Sequence, residues 1–196
     1  MVRDLTKKIN SSFLSCEKDA ETIIKKLFVD EGKYSDKLKK LLVIQTKDCL
    51  TEGPNAKKYK EIIDKLSVSD LMERGYISLV PKVKSLEHEE VKSYIIIRFD
   101  NFAPNAENPY FRDCTVSFDI FCHSDYWDIG DYQLRPYKIA GYIDGLLNRT
   151  KLSGIGTFNF FSGQQVVLDE HLSGFSLVYN AVHGNDDTIP PKGVWS

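Results

Sequence analysis

No stretch of this chain stays apolar for long. A membrane-spanning helix needs about 18 or more consecutive apolar residues, and no run approaches that length. The first residues, Met1-Val2-Arg3-Asp4-Leu5-Thr6-Lys7-Lys8, lack the apolar stretch of a secretion signal. Synthesis in a cytoplasm is therefore expected, with no membrane as partner. Cysteine is sparse, and Cys16, Cys49, Cys114 and Cys122 show no CxxC spacing. Without a secretion signal they read as free thiols in a reducing compartment. The formal net charge is only −2, which argues against a dedicated nucleic-acid binder with its basic footprint. Internal repeats and low-complexity blocks are missing. So are HExxH, the P-loop and the G-x-S-x-G elbow.

What remains is ordinary for a folded protein: 42% hydrophobic and 28% charged residues. The small net charge hides an asymmetry. Residues 1–92 carry 19 Lys+Arg against 16 Asp+Glu, and residues 93–196 carry 7 against 12, so the halves stand at +3 and −5. The two halves also differ in periodicity. Ile23, Ile24, Leu27 and Phe28 share a helix face between Asp19 and Phe28, and a second helix is predicted over Ser35–Leu50 with Ser35 as N-cap. Thr51-Glu52-Gly53-Pro54-Asn55 breaks the chain. A third helix follows over Ala56–Leu66, then a short turn capped by Ser69.

From Tyr76 the period shortens to two. Strands are predicted over Tyr76–Val80, Ser93–Phe99 (apolar on both faces, hence central), Cys114–His123, Thr157–Phe161, Gln165–Leu168 and Phe175–Val182. A charged loop is expected over Lys82–Lys92 and another loop over Asn101–Asn108. One helix interrupts the strands, opening near Pro136 and burying Ile139, Tyr142, Ile143, Leu146 and Leu147. The expected fold is α+β: a mostly antiparallel sheet packed by one or more helices, preceded by a helical N-terminal part. The expected division is a helical part over 1–75, an α+β domain over 76–183 and an extended tail over 184–196.

Candidate chemistry is thin. Cys114 and Cys122 alternate onto the apolar face of their strand while His123 points away, which suits two core thiols better than a metal site. Asp119, Asp125, Asp128 and Asp131 crowd together, but three of the four lie in one polar loop, where aspartate forms turns. The histidines (His88, His123, His171, His183) have no sequence cue to a nucleophile. Gly154-Ile155-Gly156 precedes a strand rather than a helix, so it reads as a tight turn. The expectation is no catalytic residue, no metal and no cofactor. Two loops do carry large aromatics: Phe102, Tyr110 and Phe111, with Arg112 beside them, and then Tyr126, Trp127 and Tyr132. Aromatics in polar loops are what interfaces use as anchors.

The order of these elements resembles the tail-terminator (tail-completion) proteins of long-tailed bacteriophages over about residues 76–183. The strand Tyr94-Ile95-Ile96-Ile97-Arg98-Phe99 leads into Asp100-Asn101-Phe102-Ala103-Pro104-Asn105. Then Thr115-Val116-Ser117-Phe118-Asp119-Ile120 stands where that family has a strand of the form T-v-x-F-D-I/V. Tyr132-Gln133-Leu134-Arg135-Pro136 opens the helix, and Leu152-Ser153-Gly154-Ile155-Gly156 and a final strand to His183 follow. The resemblance implies a non-enzymatic virion protein of the tail or neck, assembled in a bacterial host cytoplasm. It implies a ring, typically a hexamer, that caps the tail tube, touches tail tube protein and head–tail connector proteins, and lets DNA pass without specific binding. The acidic second half fits such a channel, since like charge lowers affinity for DNA. Another neck or baseplate adaptor is the alternative, and a small metal-dependent hydrolase using the Asp119–Asp131 acids is the reading from a different class.

Overall fold

Buried apolar stripes place the first helices, and local backbone chemistry stops them. The computed structural model describes Phe13 and residues 16–79, 91–107 and 111–183. Helix α1 (Cys16–Lys25) buries Ala20, Ile23 and Ile24, then widens into a π-helical turn, Lys26–Asp30, that carries Leu27 and Phe28 into the same core. Gly32, at φ +49°, redirects the chain into α2 (Lys33–Val43). Ser35 is not its N-cap. That residue is buried inside the helix, where its hydroxyl accepts the Glu31 amide. The helix also ends well before Leu50, because Ile44 is already extended. Helix α3 (Ala56–Asp64) follows the Gly53-Pro54 break. Helix α4 (Val68–Glu73) is capped by Ser67 rather than Ser69: Ser67 Oγ accepts the Asp70 amide at 3.1 Å and the Asp70 carboxylate accepts the Ser67 amide at 2.8 Å. That reciprocal pair satisfies two otherwise orphaned donors.

The second half is a five-stranded sheet in the order β1-β2-β3-β7-β6. Its strands are β1 (Ile77–Ser78), β2 (Ser93–Pro104), β3 (Arg112–His123), β6 (Asn159–Val167) and β7 (Leu172–His183). Only the β1–β2 pair is parallel. Helix α5 (Arg135–Leu147) and a small hairpin, β4 (Lys151–Leu152) with β5 (Gly156–Thr157), lie between β3 and β6. The fold is α+β with a helical N-terminal part, as the periodicity predicts.

Three details differ from expectation. The centre of the sheet is β3, since β2 has only the two-residue β1 outside it. Strand β2 runs on to Pro104 through a bulge between Asp100 and Ala103, where Asn101 takes φ +55°, so pairing replaces the first part of the expected loop. The two short strands expected over 157–168 are one strand, β6, with a bulge between Phe160 and Ser162.

The core follows the period of two. Cys114, Val116, Phe118, Ile120 and Cys122 of β3 are buried with Ile95, Ile97, Leu177, Tyr179 and Ala181, under Ile139, Ile143 and Leu147 of α5. Leu38, Leu41 and Leu42 of α2 and Leu71 of α4 belong to the same cluster. Each such fully buried side chain contributes about 1.5–3 kcal/mol. The change of element type near residue 75 therefore lies over a core that runs across it. On the opposite sheet face a smaller cluster joins Tyr94, Ile96, Phe121 and Leu172, with Val166 against it. The tail expected over 184–196, and the charged loop expected over Lys82–Lys92 but for its last two residues, lie outside the described residues.

Candidate functional site

The two aromatic loops sit at opposite ends of β3. Arg112 opens that strand and His123 closes it, a span of roughly 35 Å at the rise of an antiparallel strand. At the first end, Phe102 is half-buried, its ring edge-on to Phe13 (4.8 Å) and to His183 (5.6 Å). The Arg112 guanidinium lies over the Phe13 ring at 5.1 Å. Phe111 lines a cleft of about 540 Å³ with Lys151, Leu152, Ser153 and Gly154. Tyr110 lies outside the described residues.

At the far end the ring environments diverge. Trp127 is half-buried against the core, and its indole N–H donates to the Cys122 carbonyl at 3.3 Å. Tyr126 is half-buried, edge-on to His123 at 6.1 Å. Tyr132 stands fully in solvent at φ +59°, beside a cleft of about 520 Å³ that Tyr137, Lys138 and Tyr142 also line. Trp127 and Tyr126 thus hold the loop in place, and Tyr132 is the side chain this end presents outward. Tyr132→Ala is expected to leave the melting temperature within about 1 °C, since nothing buried is lost, while weakening any contact made at this end; an unchanged contact removes Tyr132 from it.

The acids do not converge. Asp119, on the face away from the helices, accepts Arg98 Nε at 2.8 Å and the Ser176 hydroxyl at 2.6 Å, and Arg98 Nη1 also donates to Asp100 at 2.9 Å. Asp128 accepts Lys47 at 2.7 Å and the Gly130 amide at 2.9 Å, and Asp125 lies 3.7 Å from His123 Nδ1. Among the described residues no group of three or more His, Cys, Asp or Glu side chains is placed to hold a metal ion. Cys114 and Cys122 are core thiols, pushed up to about 12 by burial.

One trio was invisible to spacing. Cys16 Sγ lies 3.6 Å from His183 Nε2, and His183 Nδ1 bonds the Asp19 carboxylate, although Asp19 and His183 are 164 positions apart. Nucleophile, base and orienting acid stand in that order in thiol enzymes. Here, however, His183 is completely buried, and the Cys16 thiol is pushed up, first by burial and then by the Asp19 charge. The group therefore works as a clamp that fastens α1 to the end of β7. Its thiol is expected to react with iodoacetamide more slowly than free cysteine near neutral pH; faster labelling at Cys16, mapped by mass spectrometry, would make it an activated nucleophile.

Arg135 is the other residue that the sequence reading passed over as chemistry. It is fully buried and donates to the carbonyls of Leu41 (2.6 Å), Ile44 (2.9 Å), Thr46 (2.8 Å) and Tyr126 (2.8 Å). Three of these acceptors belong to the last turn of α2 or the residues just past it, where the helix dipole favours a cation. The signal was present: Arg135 falls on the same stripe as Ile139, Tyr142 and Leu146, an apolar face on which a charge needs a reason.

The architecture defines a class: a helical part fused to an open, mostly antiparallel sheet, with aromatics at both ends of its central strand. The chain belongs to the YomW family, whose model matches residues 35–181. No curated protein matches the chain. Among solved structures it is similar to a chain in the "Virion of native gene transfer agent (GTA) particle", at 12% identity and TM-score 0.40, covering 64% of this chain and 91% of that one.

Proposed function

We propose that the protein is a non-enzymatic structural subunit of a phage tail or neck, forming a ring that caps the tail tube and joins it to the head connector. The observation that carries this reading is that aromatic side chains stand at both ends of the central strand while one edge of the sheet is unpaired among the described residues. Phe102, Phe111 and Arg112 lie at one end of the central strand and Tyr132 at the other, and the sheet between them is not closed at its β6 side. A subunit held between two different partners touches one with each end and its neighbours with its flanks. The order of elements over 76–183 supports the same reading.

DNA would pass such a ring without specific contacts. The sheet face away from the helices suits that role, since its one described arginine, Arg98, is neutralised by Asp119 and Asp100. The test is size in solution by light scattering, with and without the tail tube protein of the same phage. A closed oligomer that binds tube ends and halts tube growth is the expected result. Binding to baseplate components instead, with no effect on tube length, would replace this reading with that of an adaptor.

A further inference from the structure

The edge strand β6 has few of the features that keep an edge from pairing. All of its residues except Val166 are exposed, and Phe160, Phe161, Val167 and Leu168 are among the large apolar side chains left in solvent. From Gly156 to Leu168 there is no Lys, Arg, Asp, Glu or Pro. Natural edges are usually blunted by charge, proline, a bulge or a cover. Of these β6 has one bulge, and Phe161 is the residue it leaves unpaired, 64% exposed.

Among the described residues the other side of the sheet is open too, over half its length. Strand β1 covers β2 only at Ile95 and Ile96, and among the described residues no strand flanks β2 from Ile97 to Pro104. Along this open half runs a mostly apolar cleft of about 380 Å³, walled by Ala20, Leu79, Ile97, Phe99 and Phe102 beside the charged Glu17, Arg98 and Asp100. The two open edges match in height. Arg98 pairs with Ser117, Ser117 with Val178 and Val178 with Ser162, while Phe99, Val116, Tyr179 and Phe160 form the next row. Phe161 therefore stands at the level of the apolar cleft on the opposite edge. The directions match as well. Since β2, β3, β7 and β6 alternate, β6 runs opposite to β2, and a neighbour set beside it in the same orientation continues an antiparallel sheet. Strand addition of that kind draws affinity from main-chain hydrogen bonds and specificity from side-chain pockets.

We infer that β6 of one copy adds to the open half of β2 of the next, seating Phe161 in the cleft between α1 and β2. The occupant is a second copy of this chain because both halves of the joint are on one molecule, at one height, uncharged on the β6 side and mostly apolar on the cleft side. The contact is heterologous and keeps every subunit pointing the same way, which lets it close into a ring. It rests on the ring reading above and supplies that ring's lateral joint.

The experiment uses the full chain and two surface variants, Phe161→Asp on the strand and Leu79→Arg on the cleft, each checked for native circular dichroism, with size followed over a concentration series. Wild type is expected to form a closed oligomer, with or without tail tube protein present. Each variant should associate at least tenfold more weakly. An equal mixture of the two keeps one intact joint and should stop at a dimer. If either variant assembles like wild type, this joint is overturned and the ring reading survives. If Leu79→Arg still dimerises alone while Phe161→Asp does not, β6 pairs with β6 about a twofold axis and the heterologous joint is likewise overturned. A wild type that stays monomeric under both conditions overturns the joint and the ring together.

Discussion

Arg135→Leu is expected to lower stability by about 4 kcal/mol, a fall in melting temperature of about 8–16 °C for a chain of this size. Leucine fills much of the same space and removes a buried charge, so the substitution would be mild if the arginine faced a carboxylate that could be replaced in turn. Its partners are main-chain carbonyls of Leu41, Ile44, Thr46 and Tyr126, which no mutation can remove. Those of Leu41 and Ile44 are left buried without their donor, at about 1–3 kcal/mol apiece before any water enters, and the part-buried pair at Thr46 and Tyr126 adds less. Arg135→Lys separates charge from geometry. One ammonium cannot span all four acceptors as the planar guanidinium does, so about half of the loss should remain. Thermal and denaturant melts of the three proteins decide it. A leucine variant within about 1 kcal/mol of wild type would show that the carbonyls find water, and that the arginine is not the tie between α2 and α5.

Gly174→Ala should be as damaging, by a different route. A Cβ built on Gly174 would sit 1.8 Å from the Ile120 carbonyl oxygen and 2.8 Å from its carbon. Those are backbone atoms of the central strand, paired on both sides, and they cannot step aside. The β3–β7 ladder would have to part at the Phe121–Gly174 pair, at about 3–5 kcal/mol. Gly163 on β6 is the control. There the added carbon meets the Phe175 ring at 2.9 Å, a side chain that can rotate away, so Gly163→Ala should cost less than about 1.5 kcal/mol. Equal losses at the two glycines would mean that the sheet absorbs the extra carbon by shifting as a whole.

The alternation from Cys114 to Cys122 was legible in the sequence, because a strand buried on one side must place its apolar residues every second position. The α5 stripe was legible for the same reason at helical spacing. What the sequence could not show were contacts between distant positions. Asp19 and His183 meet only because α1 packs beside the end of β7. The true end of α2 depends on Arg135, some ninety residues later. Ser67 was overlooked as a cap because its Asp70 partner stands where Glu or Gln usually completes the box. The run from Thr157 to Leu168 read as two strands because Ser162-Gly163-Gln164 breaks the apolar rhythm, and an edge strand needs no apolar rhythm. Of the aromatic anchors, spacing alone could not separate Trp127, folded back on Cys122, from Tyr132, which faces water.

The tie made by Arg135 differs in kind from an ion pair. A guanidinium held by carboxylates lets go when acid protonates them, and a surface pair weakens in brine. Peptide oxygens do not titrate, and those of Leu41 and Ile44 are buried. The link between the helical part and the sheet should therefore hold across a wide range of acidity and salinity, leaving α2 and α5 joined where a pair of ordinary opposite charges would have loosened.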